Sequence, residues 1–325
     1  LVGCVGHDTG HAVAGECDRM TWQRGVLKRF SPAFFVFFAL TSTQLCAADI
    51  TLTQANGDEL TLSSPAQRII TLAPNLAEIV FAAGAGEQLK AVVEYSNFPA
   101  QVQQIRRVGD AFRIDLEQIM ALEPDLVIAW ASGNPQAALQ KLEQLGIIVW
   151  QIEITRPEEI ADAVANISRA AGTEAVGQTA ARQLRDRIEQ LRLQNAHKDP
   201  VNYFFQIAPR PLYTINGQHI ISRGLEVCGA RNVFADLSTL APPINRESVI
   251  MANPQAMIAP ESASDGNALD IWLQWPQLQA VKNKKMLYLP ADEISQAAPR
   301  LLDSIALACK FLDDVRKTNQ HLGEQ

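Results

Sequence analysis

From residue 66 onward the apolar positions of this chain follow two alternating rhythms. Short unbroken apolar runs appear at "RIITLA" (68–73), "LKAVVEY" (89–95), "DLVIAW" (125–130) and "IIVWQI" (147–152). Runs of this length and continuity predict strands buried on both faces. Between them apolar residues recur at every third or fourth position. "NLAEIVFAAG" (75–84) predicts a helix closed by Gly84, and "DLEQIMAL" (115–122) a short helix with Asp115 as N-cap. "NPQAALQKLEQLG" (134–146) predicts another, with Asn134 as N-cap, Pro135 in the first turn and Gly146 as terminator. "RPEEIADAVANISRAAG" (156–172) predicts a fourth. Strand and helix in strict alternation predict a mainly parallel sheet with helices on both faces.

The rhythm then changes. In "TEAVGQTAARQLRDRIEQLRLQNAHKDP" (173–200), Val176, Ala180, Leu184, Ile188 and Leu191 keep helical spacing over several turns. Gly177 is the one breaker within it, and Pro200 ends it. A helix this long between two α/β segments predicts a stiff connector rather than a flexible linker. Beyond it the alternation resumes with "VNYFFQI" (201–207), a helix around 218–229, "KMLYLP" (285–290) and a closing helix from Pro299 to about Lys317. One segment also recurs. "EQIMALEPDLVIA" (117–129) and "ESVIMANPQAMIA" (247–259) align Glu117 with Glu247, Pro124 with Pro254 and Ile128 with Ile258, always 130 residues apart. So distant a repeat predicts two similar lobes, not a solenoid. The expected organisation is an upstream segment (1–48), an N-terminal α/β lobe (49–171), a connecting helix (172–199) and a C-terminal α/β lobe (200–325).

The first 48 residues do not share these rhythms. From Met20, "MTWQRGVLKRF" supplies a positive segment, "SPAFFVFFALTSTQL" an apolar core and "CAAD" a small-residue cleavage site after Ala48. That is the grammar of a cleaved export signal, too short in its apolar core for a bilayer span. Residues 1–19 do not fit such a leader and are expected to precede its start. A lipid-modified Cys46 is disfavoured by the bulky Leu45 before it. Cleavage leaves Cys228 and Cys309. Two cysteines in an oxidising compartment predict one disulfide, with a pair of buried free thiols as the other reading. The net charge of −7 offers no basic field for nucleic acid.

An exported chain with two similar α/β lobes and one stiff helix resembles the periplasmic substrate-binding proteins of ABC importers, in their iron-siderophore/vitamin B12 class. The resemblance covers residues 66–317 and is carried by "RIITLAPNLAEIVFAAG", "YSNFP" (95–99), "DLEQIMALEPDLVIAW", "GLEVCGARNVF" (224–234) and "AAPRLL" (297–302). It implies the class III periplasmic-binding fold, a monomer, and a ligand cleft between the lobes at the carboxyl ends of the strands. The implied ligand is cobalamin or a related corrinoid, held by aromatic faces and a few polar groups. By motif, Tyr95 and Trp130 match the class's aromatic contacts, and Asp292 in "LPADEIS" a polar contact of the second lobe. Phe112 lies one position from a customary tryptophan, and Tyr213 offers an aromatic face from the other lobe. Two positions depart from the pattern: Ala241 stands where a ligand-facing tryptophan is typical, and Gln296 where an arginine is usual. The resemblance further implies that Glu117 and Glu247 dock onto arginines of a two-subunit permease driven by two ATPase subunits.

Other classes find less support. His197, His219 and His321 are scattered without ligand spacing, so no metal site is expected. Neither a nucleophile elbow nor a phosphate-binding loop is present, so no catalytic residues and no cofactor are expected. Haem or ferric-siderophore cargo is the alternative. Arg210 and Arg223 are available for an anionic chelate, and Tyr95, Tyr213 or His219 as axial ligands of haem.

Overall fold

A computed structural model describes residues 49–261 and 267–323. The predicted leader lies outside the described residues. The described residues fall within one compact body.

The chain opens with a hairpin of β1 (Ile50–Thr53) and β2 (Glu59–Leu62). It continues through β3 (Ile69–Thr71), α1 (Pro74–Ala82), β4 (Leu89–Val92), β5 (Arg106–Arg107), α2 (Leu116–Ala121), β6 (Leu126–Trp130), α3 (Gln136–Gln144) and β7 (Val149–Ile152). Two helices follow, α4 (Pro157–Ala171) and α5 (Glu174–Asn195). The second half comprises β8 (Val201–Phe205), β9 (Ala208–Pro209), β10 (Leu212–Tyr213), α6 (Ile220–Glu226), β11 (Ala230–Asn232), α7 (Arg246–Ala252), β12 (Ala256–Pro260), α8 (Gln279–Lys282), β13 (Met286–Leu289), α9 (Ala291–Ile294) and α10 (Leu301–Gly323).

Both main sheets are parallel. The first runs β5-β4-β3-β6-β7 and the second β11-β8-β12-β13. Apart from the edge strand β5, each places its first strand beside its second and third, so the two lobes share one winding. The 130-residue repeat is geometric as well as sequential. Asp115 caps α2 by accepting from the Gln118 N–H at 3.0 Å, and Asn245 caps α7 by accepting from the Ser248 N–H at 2.8 Å. Glu123 and Asn253, again 130 apart, both take left-handed backbone, with φ of 44° and 42°. Each turns a short helix into the strand that follows it.

The apolar strands divide their side chains between cores, as the two-residue period requires. β6 sends Leu126 and Ile128 to one face and Val127 and Ala129 to the other. β12 does the same with Ala256 and Ile258 against Met257 and Ala259. The first member of each pair joins a single core shared by both lobes, filled from α1, α4, α5 and α10 by residues such as Leu76, Ile160, Ile188 and Ile305. The second member packs in a core private to its own lobe.

The connecting segment is thus not a bare rod. α5 packs along α4, and Gly177, read from sequence as a breaker, is a contact point. A Cβ there would sit 2.1 Å from the Ser168 Cβ. Gly177 lies in the first turn of α5, where the lack of a Cβ lets α4 approach closely. The Arg185–Asp162 pair at 2.7 Å joins α5 to α4, and Arg187–Asp303 at 2.7 Å joins it to α10. A disulfide links Cys228, just past α6, to Cys309 within α10. The hydrogen bond from Arg316 Nη2 to the Cys228 carbonyl, 2.6 Å, adds a second tie there.

Candidate functional site

The carboxyl ends of strands from both sheets open onto one cleft of about 980 Å3, solvent mouth included. From the first lobe it is lined by Pro74, Asn75 and Leu76 after β3, Trp130 and Ser132 at the end of β6, and residues 152–155 at the end of β7. From the second come Gln218, His219 and Ile220 at the start of α6, Leu240, and residues 295–297 after α9.

Trp130 is the last residue of β6 and remains 37% exposed toward this space. Its indole and its backbone are each held by a hydrogen bond. Nε1 donates to Glu153 Oε1 at 3.1 Å, and the backbone N–H donates to Asn134 Oδ1 at 2.7 Å. Gly133 leaves room for the ring, since a Cβ there would fall 1.9 Å from Trp130 Cε3. The second Glu153 oxygen accepts from the Ser132 N–H at 2.9 Å. Asn134 is not the helix cap its sequence context predicts. Pro135 takes that position, and the buried Asn134 amide donates instead to the carbonyls of Leu72 and Ala111, each at 2.8 Å. One side chain therefore binds the end of β3, the 110–113 loop and the end of β6 together.

Tyr95 follows β4 with φ of 66° and is 75% exposed. Phe112 is 71% exposed on a loop closed by Asp110, whose Oδ1 accepts from the N–H groups of Phe112 and Arg113 at 2.8 and 2.7 Å. Both stand on loops leaving the carboxyl edge of the first sheet, outside the enclosed part of the cleft. Tyr213 is half-buried in β10 and bridges to Pro243, also outside the lining. Asp292 pairs with Arg300 at 3.0 Å. Of these five, Trp130 alone lines the cleft. Gln296 does line it, and Leu240, next to Ala241, supplies an apolar face there.

Arg300 belongs to an interlobe clamp. Its backbone N–H and its Nε each donate to Glu78 of α1 at 2.9 Å, and its guanidinium lies 4.0 Å from the Phe98 ring centroid. Burial pushes the Glu78 carboxyl above its ordinary range, and the bonds from Arg300 oppose that. Asn75 Nδ2 donates across the same boundary to the Ala297 carbonyl at 3.3 Å. The one signal of this clamp in the sequence is a lone Glu78 amid the apolar "NLAEIVFAAG".

His219 caps α6, its Nδ1 accepting from the Ile221 N–H at 3.3 Å, and burial pushes its pKa down to about 4. Glu117 and Glu247 are both exposed in the first turns of α2 and α7, and neither has a side-chain partner among the described residues.

Two parallel α/β lobes sharing a core, with a cleft at the strand ends, are the architecture of a periplasmic binding protein. A family model of that description, Periplasmic binding protein, matches residues 69–293, and the chain belongs to this family. Within it, the vitamin B12-binding protein of Vibrio cholerae serotype O1 is 38% identical over 255 residues, 78% of this chain and 91% of that protein. The vitamin B12-binding protein of Vibrio parahaemolyticus is 34% identical over 256 residues, 78% and 92% of the two chains. The crystal structure of the periplasmic vitamin B12-binding protein BtuF of Vibrio cholerae superposes with a TM-score of 0.72, covering 78% of this chain and 99% of that one. The periplasmic haem-binding protein HutB of Vibrio cholerae shares the fold, with a TM-score of 0.68 at 22% identity, covering 76% and 98%.

Proposed function

We propose that this protein captures cobalamin or a related corrinoid in the periplasm and delivers it to an ABC importer of the inner membrane, without chemistry on the ligand. The observation that carries this reading is sequence shared with the vitamin B12-binding relatives along both lobes, so that both walls of the cleft fall within it. The site is consistent in kind: a fixed indole face, one further apolar face from Leu240, and amide or hydroxyl groups from Asn75, Ser132, Gln218, Ser295 and Gln296. Such a surface suits a flat ring with amide arms. Tyr95 and Phe112 extend the aromatic surface at the rim, and Tyr213 and Asp292 support the cleft from behind or engage ligand substituents. Export by a cleaved leader ending at Ala48 brings the chain to that compartment as a monomer.

Titration of the purified chain with cyanocobalamin tests the reading, following tryptophan quenching and coelution of the corrin absorbance. One-to-one binding is expected. Its absence moves the cargo to haem or a ferric siderophore. Release to the importer follows from Glu117 and Glu247, two equivalent carboxylates presented to two equivalent permease subunits. Charge reversal of both, Glu117→Arg with Glu247→Arg, is expected to abolish uptake and leave cobalamin affinity unchanged. Lost affinity would remove the docking role.

A further inference from the structure

We propose that the cleft sorts its cargo by charge, with Glu153 as the selecting group: it admits neutral or cationic amide-bearing rings and turns away anionic ones. This rests on the corrinoid reading and sharpens it.

Among the described residues lining the cleft, Glu153 is the one acidic side chain, and there is no lysine or arginine. Its carboxylate cannot easily swing away, because it accepts from Trp130 Nε1 and from the Ser132 N–H. Both bonds would have to break together for the carboxylate to leave the indole edge. A ring stacked on Trp130 therefore has its edge beside a fixed negative charge.

Among the described residues, no lysine or arginine side chain lines the cleft to offset it. Arg223 stands behind the lining, held by Gln218 and 3.9 Å from Glu226. Arg300 is taken up by Glu78 and Asp292. His219 accepts at Nδ1, so its remaining proton sits on Nε2, and the ring is a neutral donor rather than an imidazolium. The same tautomer leaves Nε2 without the lone pair that an axial ligand of haem iron needs. Amide arms find matching partners in the side-chain amides and hydroxyls of the cleft. Carboxylate arms, such as haem propionates, find no lysine or arginine among the described lining residues and meet Glu153.

The test compares cyanocobalamin with its monocarboxylate derivative, in which one ring amide is hydrolysed, and with haemin, at low salt. The unmodified protein is expected to bind the neutral corrinoid about tenfold more tightly than the anionic one. Glu153→Gln should bring that ratio to within about twofold, whatever it does to absolute affinity through Trp130. Gln296→Lys, on the opposite wall and clear of Trp130, should lower the ratio with Glu153 intact. An equal ratio in the unmodified protein and Glu153→Gln would overturn the proposal. If no corrinoid binds at all, the corrinoid reading falls and the charge rule is decided on haemin. Tighter haemin binding by Glu153→Gln then upholds it; unchanged or undetectable binding in both proteins overturns it.

Discussion

Asn134 shows how one side chain organises the cleft wall. Its amide supplies the donors for one buried and one half-buried carbonyl and the acceptor for the Trp130 N–H. Asn134→Ala is expected to cost about 2–4 kcal/mol, read by denaturant unfolding, since the stranded carbonyls lose their partners inside the protein. It should also weaken cobalamin-dependent quenching, because Trp130 is no longer held. Trp130→Ala should reduce cobalamin affinity at least about tenfold with the fold intact, in keeping with the loss of a large aromatic anchor. His219 makes a pH prediction. The unfolded chain takes up the proton near 6.5 and the folded protein only near 4. Above pH 6.5 stability does not depend on this group. Between pH 6.5 and 4 the unfolded state gains, and stability falls by about 1.4 kcal/mol per unit at most. His219→Asn should flatten that slope in a pH series of thermal unfolding.

Elements meet at two points where local propensity misleads. By helix propensity alone, Gly177→Ala in the first turn of α5 is favourable. The Ser168 Cβ 2.1 Å from the added carbon reverses the sign, and the substitution is expected to lower the melting temperature. An unchanged or raised value would mean α4 and α5 separate without cost. The second point is the junction of α1 and α10. Glu78 is 3% exposed, so removing its partner leaves a buried carboxylate alone. Arg300→Ala is expected to cost about 3–5 kcal/mol. It should also loosen residues 295–297 on the cleft wall, seen as faster amide exchange there.

At the scale of the molecule, the shared core ties the lobes together and makes wide hinge opening costly, because separation would expose the apolar faces of both sheets. Ligand capture is accordingly expected to change the radius of gyration little, a result small-angle scattering would show directly. The Cys228–Cys309 bond closes a loop of 81 residues of sequence. Cys228→Ser with Cys309→Ser should cost about 2–5 kcal/mol in reversible unfolding and leave the cleft unaltered.

Much of this architecture is legible in the chain itself. Apolar rhythm alone marks β3, β6, β7, β8 and α1 to α5, because strand and helix periods are local properties of the backbone. The Glu117/Glu247 repeat already announces two lobes of one winding. Cys228 and Cys309, the two cysteines beyond residue 48, left a disulfide or two free thiols open in sequence, and the structure joins them. Pairing partners and faces are not local, and only the tertiary structure decided them. It turned Asn134 from a helix cap into a crosslink and Gly177 from a breaker into a helix–helix contact. It brought Glu153, which the sequence does not single out, and His219 to opposite walls of one cleft. Local sequence does not record what stands across the fold, where Asn134 meets Leu72 and Ala111, Glu153 meets Trp130 and Ser132, and Gly177 meets Ser168.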